Sequence, residues 1–386
     1  MQILRNSLRE ALALVSKAAG SGSTMPILTC VDLQAGEDSL TITANNLEMV
    51  IRTRISVQAK APFSAAVPAG VLSDIVSTSD AETIDLAFDE STLTMKVISS
   101  GAKSNIKALS HEEVPPVPEA DILLGRLLGQ TLKTAFKRVV IAASCDTSRP
   151  SLNGVQLAKI GDDVYLAAAD GFRLAAYRLE TELDFPQNYT SLVIPRQSVN
   201  KLAQILPDEQ PVNIFVSAKA TAILFSWEAT KVWIQLIDNP FPNWKAIIPP
   251  SFKHTLSLPG QEAIAALNRA DVFARTANHV VRFKPGKSAL NGYEGGLIIE
   301  GNSDETGKSE TALEVAMPFQ IAFNGLFAKQ GIEAIGSDAV HLHLNASNAP
   351  AMFSNGSDRY IYVLMPMLDA TSAAAQASAV AQAQSA

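Results

Sequence analysis

At 386 residues the chain is too long for one ordinary core, so two or three domains are expected. Its composition, 47% hydrophobic and 18% charged, is that of a globular protein, and no apolar run approaches the roughly 20 residues of a membrane span. A net charge of −7 excludes a protein that coats nucleic acid with its whole surface, but leaves room for a local basic face.

The opening "MQILRNSLREALALVSKAAG" has charges among its leucines, unlike a secretory signal. It predicts a first strand and an amphipathic helix over 5–17, with Leu4, Leu8, Leu12 and Val15 at helical spacing. Cys30 and Cys145, the only cysteines, cannot form a disulfide framework and point to a reducing compartment, hence the cytoplasm. Strands at "LTITA" and "TLTMKV" flank a helix over 70–80, and Leu132, Phe136 and Val140 mark the next, over 131–138. "VYLAAA" precedes a helix over 196–204, and "VNIFVSA" and "AILFSW" follow it. Helices over 262–275 and 319–330 and the strand "HLHLN" complete the pattern. After Met367 come 19 residues of mostly Ala, Ser and Gln, a composition that cannot build a core; disorder is expected over 368–386.

The order of features repeats. A helix, a loop, a proline, an apolar strand, a turn, a second strand and a polar turn occur around Pro26 and again around Pro150, 124 residues on. A third stretch, from "AIAALNRADVFARTANHVVRFKPG" through "GLIIEGNSDETG", follows the plan without the proline. Pro68, Pro195 and Pro318 each introduce a later predicted helix, at separations of 127 and 123 residues; proline suits a first helical turn, where its missing N–H needs no partner. Two landmarks giving nearly one period predict three α+β domains, each with two helices packed on antiparallel sheet, over 1–124, 125–250 and 251–367.

Charge is uneven. The six predicted helices hold 11 Lys/Arg against 5 Asp/Glu, a net +6, leaving −13 for the rest of the chain. Any one helix could be an ordinary solvated face. Six equivalent helices in three copies can instead align their outer faces into one positive surface suited to a polyanion.

Chemistry-bearing motifs are absent. His111, His254, His279, His341 and His343 show no metal-ligand spacing, and no nucleophile elbow, phosphate loop or dinucleotide fingerprint occurs. Cys145 has nothing to activate it. Carboxylate pairs such as Asp162–Asp163 and Glu112–Glu113 read as solvated turns. Neither catalysis nor a cofactor or metal is expected.

"PILTCVDL", "RPSLNGVQL" (149–157), "AAADGFRLAAYRLE" (167–180), "VIPRQSVNKLAQIL" (193–206), "NPFPNWKAIIP" (239–249) and "YIYVLMPM" (360–367) occur in that order. Together they resemble the β subunit of bacterial DNA polymerase III, the sliding clamp family, over residues 1–367. The resemblance implies a head-to-tail homodimer whose six domains close a ring, with helices lining the hole and sheets outside. It implies a non-catalytic, nucleoid-associated processivity factor that encircles duplex DNA without reading its sequence. Candidate DNA-facing cations on the helices are Arg5, Arg9, Lys133, Lys137, Arg138, Arg196 and Lys201. The resemblance also implies a pocket that docks short peptides from the replicative polymerase, the clamp loader, and repair and translesion polymerases. Its walls would be Leu152, Gly171, Phe172, Arg173, Leu174, Pro242, Ile247, Val363, Met365, Pro366 and Met367, apolar surfaces suited to Leu and Phe side chains. The dimer contact would use Lys103 and Ile106 against Val272 and Phe273, pairing edge strands that would otherwise stay open.

Three positions depart from the family pattern: Ala169 for Thr, Phe172 for His or Tyr, and Leu368 for Arg. "GSGSTMPIL" also lacks the Arg usual ahead of Pro-Ile-Leu. Residues 284–296 read as an enlarged hairpin loop without an assigned role. A tail that sweeps over the pocket and competes with partner peptides is a further possibility. At this level two rivals stay open: a peptide-binding hub with weakened encirclement, and a hydrolase or nuclease using scattered carboxylates.

Overall fold

The computed structural model describes residues 1–20, 24–57, 61–181, 183–186, 189–287 and 294–367. The tail over 368–386, Leu368 with it, and the centre of the 284–296 loop lie outside the described residues. Two compact units emerge. The first comprises Met1–Phe136, Ala158–Gly161 and Thr181–Asn239, the second Lys137–Leu157, Asp162–Glu180 and Pro240–Ala386.

Six helices of at least ten residues recur in a fixed setting: α1 (Arg5–Val15), α2 (Ala69–Thr78), α3 (Gly129–Val140), α4 (Arg196–Ile205), α5 (Gly260–Ala274) and α6 (Gly325–Ile335). Each begins directly where a strand ends. Their buried residues keep the 3.6-residue period: Leu8, Ala11, Leu12 and Val15 in α1, and Val199, Leu202 and Ala203 in α4. Pro68 and Pro195 do not sit inside the first turn; they close the preceding strand and occupy the N-cap position.

The third member of that series is corrected. Pro318 starts no helix, and the expected 319–330 helix is instead a strand, Ile321–Asn324, followed by α6. Asn324 caps α6 by accepting from Phe327 N at 3.0 Å, a polar cap where the other two copies use proline. Counted by first helical residue, α2, α4 and α6 start at 69, 196 and 325, so the period survives the failure of its third landmark.

In the first unit an eight-stranded antiparallel sheet runs in the order Phe63–Pro68, Cys30–Ala35, Ser39–Asn45, Met49–Ser56, Thr230–Gln235, Ala222–Trp227, Pro211–Val216 and Ile122–Leu128. A four-stranded sheet, Gln2–Leu4, Thr83–Asp89, Thr94–Ser99 and Ala102–Lys107, leaves the last strand at its edge. In the second unit, strands Asp163–Ala169, Arg173–Leu179, Tyr360–Leu364, Ala351–Ser354, Ala339–Leu344 and His254–Pro259 lie side by side in that order. Its four-stranded sheet ends on the edge strand Gly307–Leu313.

Side-chain size fixes one contact tightly. A Cβ on Gly331 of α6 would lie 2.4 Å from the ring of Tyr362, so only glycine lets this helix settle on the Tyr360–Leu364 strand. With observed bounds the helices hold 9 Lys/Arg and 5 Asp/Glu, a smaller excess than expected. It is confined to the first four: α1 to α4 carry 7 basic and 2 acidic residues, α5 and α6 carry 2 and 3.

Candidate functional site

The expected docking residues all belong to the second unit. Strand Arg173–Leu179 pairs with Tyr360–Leu364, setting Leu174 opposite Val363 and Arg173 opposite Leu364. The backbone continues the ladder, with Met365 N donating to Phe172 O at 2.8 Å. Met367 N then donates to Ala322 O, also at 2.8 Å, so the Met-Pro-Met end is held at both ends.

The turn before this strand is built by Asp170. Its Oδ1 accepts from Phe172 N and Arg173 N at 2.9 and 3.0 Å, an Asx turn. Gly171 adopts φ +93°, a region closed to most side chains, and lies beside Arg149, the residue leading into the short helical turn Pro150–Leu152. That turn is tied down by Ser144 N donating to Leu152 O at 2.9 Å. A second short turn, Trp244–Ile247, is anchored by Trp244, whose Nε1 donates to Gln156 Oε1 at 2.9 Å and whose ring meets Tyr165 edge-on. Lys245 sets its ammonium 4.3 Å from the Tyr165 ring centre.

The residues separate into floor and rim. Leu174 and Val363 are 2% and 1% exposed. Phe172, Ile247 and Met365 are 67%, 44% and 38% exposed, Pro242 is exposed, and Leu152, Pro366 and Met367 are half-buried. Large apolar side chains are thus held open to water on anchored turns.

Arg173 has the most partners of the expected wall residues. Its side chain, 9% exposed, pairs with Asp170 at 2.9 Å, donates to Gln330 Oε1 and lies 3.8 Å from the ring centre of Phe327. It fastens the turn to α6. Asp170, Arg149 and Trp244 were not singled out from the sequence. Trp244 carried a signal, an aromatic inside the quoted "NPFPNWKAIIP"; the pairing of Asp170 with Arg173 carried only their i,i+3 spacing.

The candidate DNA-facing cations differ in freedom. Arg9 and Lys137 are exposed, and Lys201 and Arg196 half-buried. Lys133 is held by Asp208 at 2.6 Å, and Arg5 donates to Ser79 O and to Asn6 Oδ1. Arg138 is half-buried: its guanidinium stands 5.8 Å from the ring centres of Tyr177 and Tyr360 and donates to Ile335 O. Of the dimer-contact candidates, Lys103 is exposed and Ile106 is 5% exposed within its own sheet, both on the edge strand Ala102–Lys107. Val272 is 55% exposed and Phe273 half-buried on α5.

Among the described residues no group of three or more His, Cys, Asp or Glu could hold a metal ion, and no helix is long and apolar enough to cross a membrane.

The comparisons with known proteins agree in every domain. The N-terminal, central and C-terminal domain models of the DNA polymerase III beta subunit match residues 1–118, 126–243 and 245–368. Relatives named beta sliding clamp include those of Synechocystis sp., 26% identical over 94% of this chain and 97% of that protein, and of Bacillus subtilis, 25% identical with the same coverage. Similar solved structures include the sliding clamp of Bartonella birtlesii bound to griselimycin, with TM-score 0.88 at 24% identity over 96% of this chain and 99% of that one. The Pseudomonas aeruginosa clamp bound to griselimycin gives 0.87 at 23% identity, again over 96% and 99%. With all three domain models matched in sequence order along nearly its whole length, the chain belongs to the DNA polymerase III beta subunit family.

Proposed function

We propose that this chain is a bacterial DNA sliding clamp, a non-catalytic processivity factor of the cytoplasm. Two copies close head to tail around duplex DNA and tether the replicative polymerase. The observation that carries the reading is the ordered match of all three beta-subunit domain models across residues 1–368. We place the domains at 1–124, 125–250 and 251–367. The basic excess on α1, α3 and α4 supports phosphate attraction, and weak exchangeable charge contacts let a ring slide while it stays attached. Arg9 and Lys137, both exposed, are the cations best placed to supply them, followed by the half-buried Lys201 and Arg196; Lys133, Arg5 and Arg138, each with partners inside the chain, contribute less freely.

Closure of the ring uses the edge strand bearing Lys103 and Ile106 in one copy and α5 with Val272 and Phe273 in its partner. With Ile106 packed inside its own sheet, the strand's backbone edge and Val272 form the contact. Partner proteins dock short peptides on the second unit, Phe172, Ile247, Pro242, Met365, Pro366 and Met367 framing a floor of Leu174 and Val363 with Leu152 beside it. Clamp loader, repair and translesion polymerases use the same surface.

The test is topological. A particle of about twice the 41.1 kDa chain mass, loaded on nicked circular DNA, is retained there and released when the circle is cut. A dimer that, with its loader, never remains on circular DNA defeats the encirclement reading and leaves a peptide-binding hub.

A further inference from the structure

The first unit repeats the docking surface's framework but fills it. Asn46 Oδ1 accepts from Glu48 N and Met49 N at 3.2 and 2.8 Å, as Asp170 does for Phe172 and Arg173. Leu47 takes the positive φ of Gly171, at +73°. Gln235 N donates to Glu48 O at 2.8 Å, the counterpart of Met365 N to Phe172 O. The short turn Pro26–Thr29 stands for Pro150–Leu152, and His111 to Asp32, at 2.8 Å, stands for Trp244 to Gln156.

These correspondences pair Leu28 with Leu152, Val50 with Leu174 and Trp233 with Val363, since Val50 lies opposite Trp233 in its ladder. An indole therefore stands where the second copy has an isopropyl group. Val117, Ala120 and Phe215 pack against the cluster of Val50, Leu224 and Trp233, and Leu109 and Val114 against that of Ile27, Leu28, Cys30 and Ala66. Asn45 Nδ2 donates to Pro115 O at 3.2 Å, fixing the covering segment. The void left between Cys30, Asn45, Val114 and Pro115 is about 10 Å³, room for at most a single water. Leu28 is 6% exposed whereas Leu152 is half-buried.

We propose that the first unit holds a second, latent peptide groove, occupied in cis by Trp233 and by the segment Leu109–Ala120. Its ligand class is the one the second unit takes, a peptide presenting Leu- or Phe-like side chains. Each copy of the chain thus offers one open groove because the other is filled by its own sequence. The inference rests on the docking reading given under Proposed function.

Calorimetric titration of the full-length chain with griselimycin tests it. Wild-type protein binds one equivalent per chain. Trp233→Val, which restores the second unit's residue, adds a weaker second event, as does Val117→Ser with Ala120→Ser, which loosens the cover without touching a strand. Adding Ile247→Asp removes the original event and leaves the new one. If wild-type protein binds no griselimycin, the docking reading fails. If wild-type protein binds one equivalent and both folded variants, checked by circular dichroism and dimer mass, also bind one, the latent groove is refuted. Should Trp233→Val not fold, the serine pair decides alone.

Discussion

Asp170→Ala should loosen the docking turn by an amount the structure allows one to estimate. The carboxylate and Arg173 form a pair whose side chains are 13% and 9% exposed. Breaking a buried pair by removing one partner costs about 3–5 kcal/mol, because the remaining charge is stranded. Arg173 keeps Gln330 and the Phe327 face, which together offset about 1–2 kcal/mol. The lost bonds to Phe172 N and Arg173 N add about 1 kcal/mol. The net is a loss of about 3 kcal/mol, local to the second unit. Hydrogen exchange along Arg173–Leu179 and Tyr360–Leu364 measures it as a fall in opening free energy. Asp170→Ala combined with Arg173→Met should recover at least half, since no buried charge is then left alone. A loss under about 1 kcal/mol for the single variant, or no recovery in the double, would refute the account of Arg173 as a fastener.

Gly331→Ala should cost about 1–3 kcal/mol by forcing α6 off Tyr362, visible as a lower thermal midpoint. Arg9→Ala and Lys201→Ala should each lower the slope of log K against log salt for circular DNA by about 0.9, and Lys133→Ala by less, because Asp208 already holds its ammonium. Hydrogen bonds from Lys284 and Lys308 hold the Glu310 carboxyl down at about 2 from an ordinary 4.5. A depressed carboxylate stabilises above its unfolded value, so this contribution is intact above pH 4.5 and disappears as pH falls toward 2. Glu310 is 39% exposed, and solvent screening reduces the effect to about 1 kcal/mol. Wild type and Glu310→Gln should therefore differ in thermal midpoint at pH 6 and converge near pH 2.

What the sequence made legible was whatever repeats or alternates. Leu8, Leu12 and Val15 declared α1 by spacing alone, and the near-regular period pointed to three α+β domains, the number the family models match. Pro318 misled because proline's fixed φ suits a strand exit, a loop and a helix start equally well. The third copy starts its helix with Asn324, a cap recognisable only once the preceding strand is placed. The partners of Arg173 were hidden for a different reason. Its burial depends on Gln330 and Phe327, more than 150 residues away in sequence, and on a carboxylate three residues back. The contacts of Arg138 with the rings of Tyr177 and Tyr360 were likewise hidden, since neither tyrosine is its neighbour in sequence.

Tyr360–Leu364 is the last strand of the described chain, yet it lies between Arg173–Leu179 and Ala351–Ser354 rather than at an edge. A ribosome making this protein must therefore reach Leu364 before that sheet can be joined. Until then Arg173–Leu179 waits with an open hydrogen-bonding side, and the floor residue Leu174 has no Val363 opposite it. Chains that stop before Tyr360 cannot set Val363 opposite Leu174. The strand made last among those described thus joins two segments made earlier, and only a chain that has reached Leu364 can close this sheet.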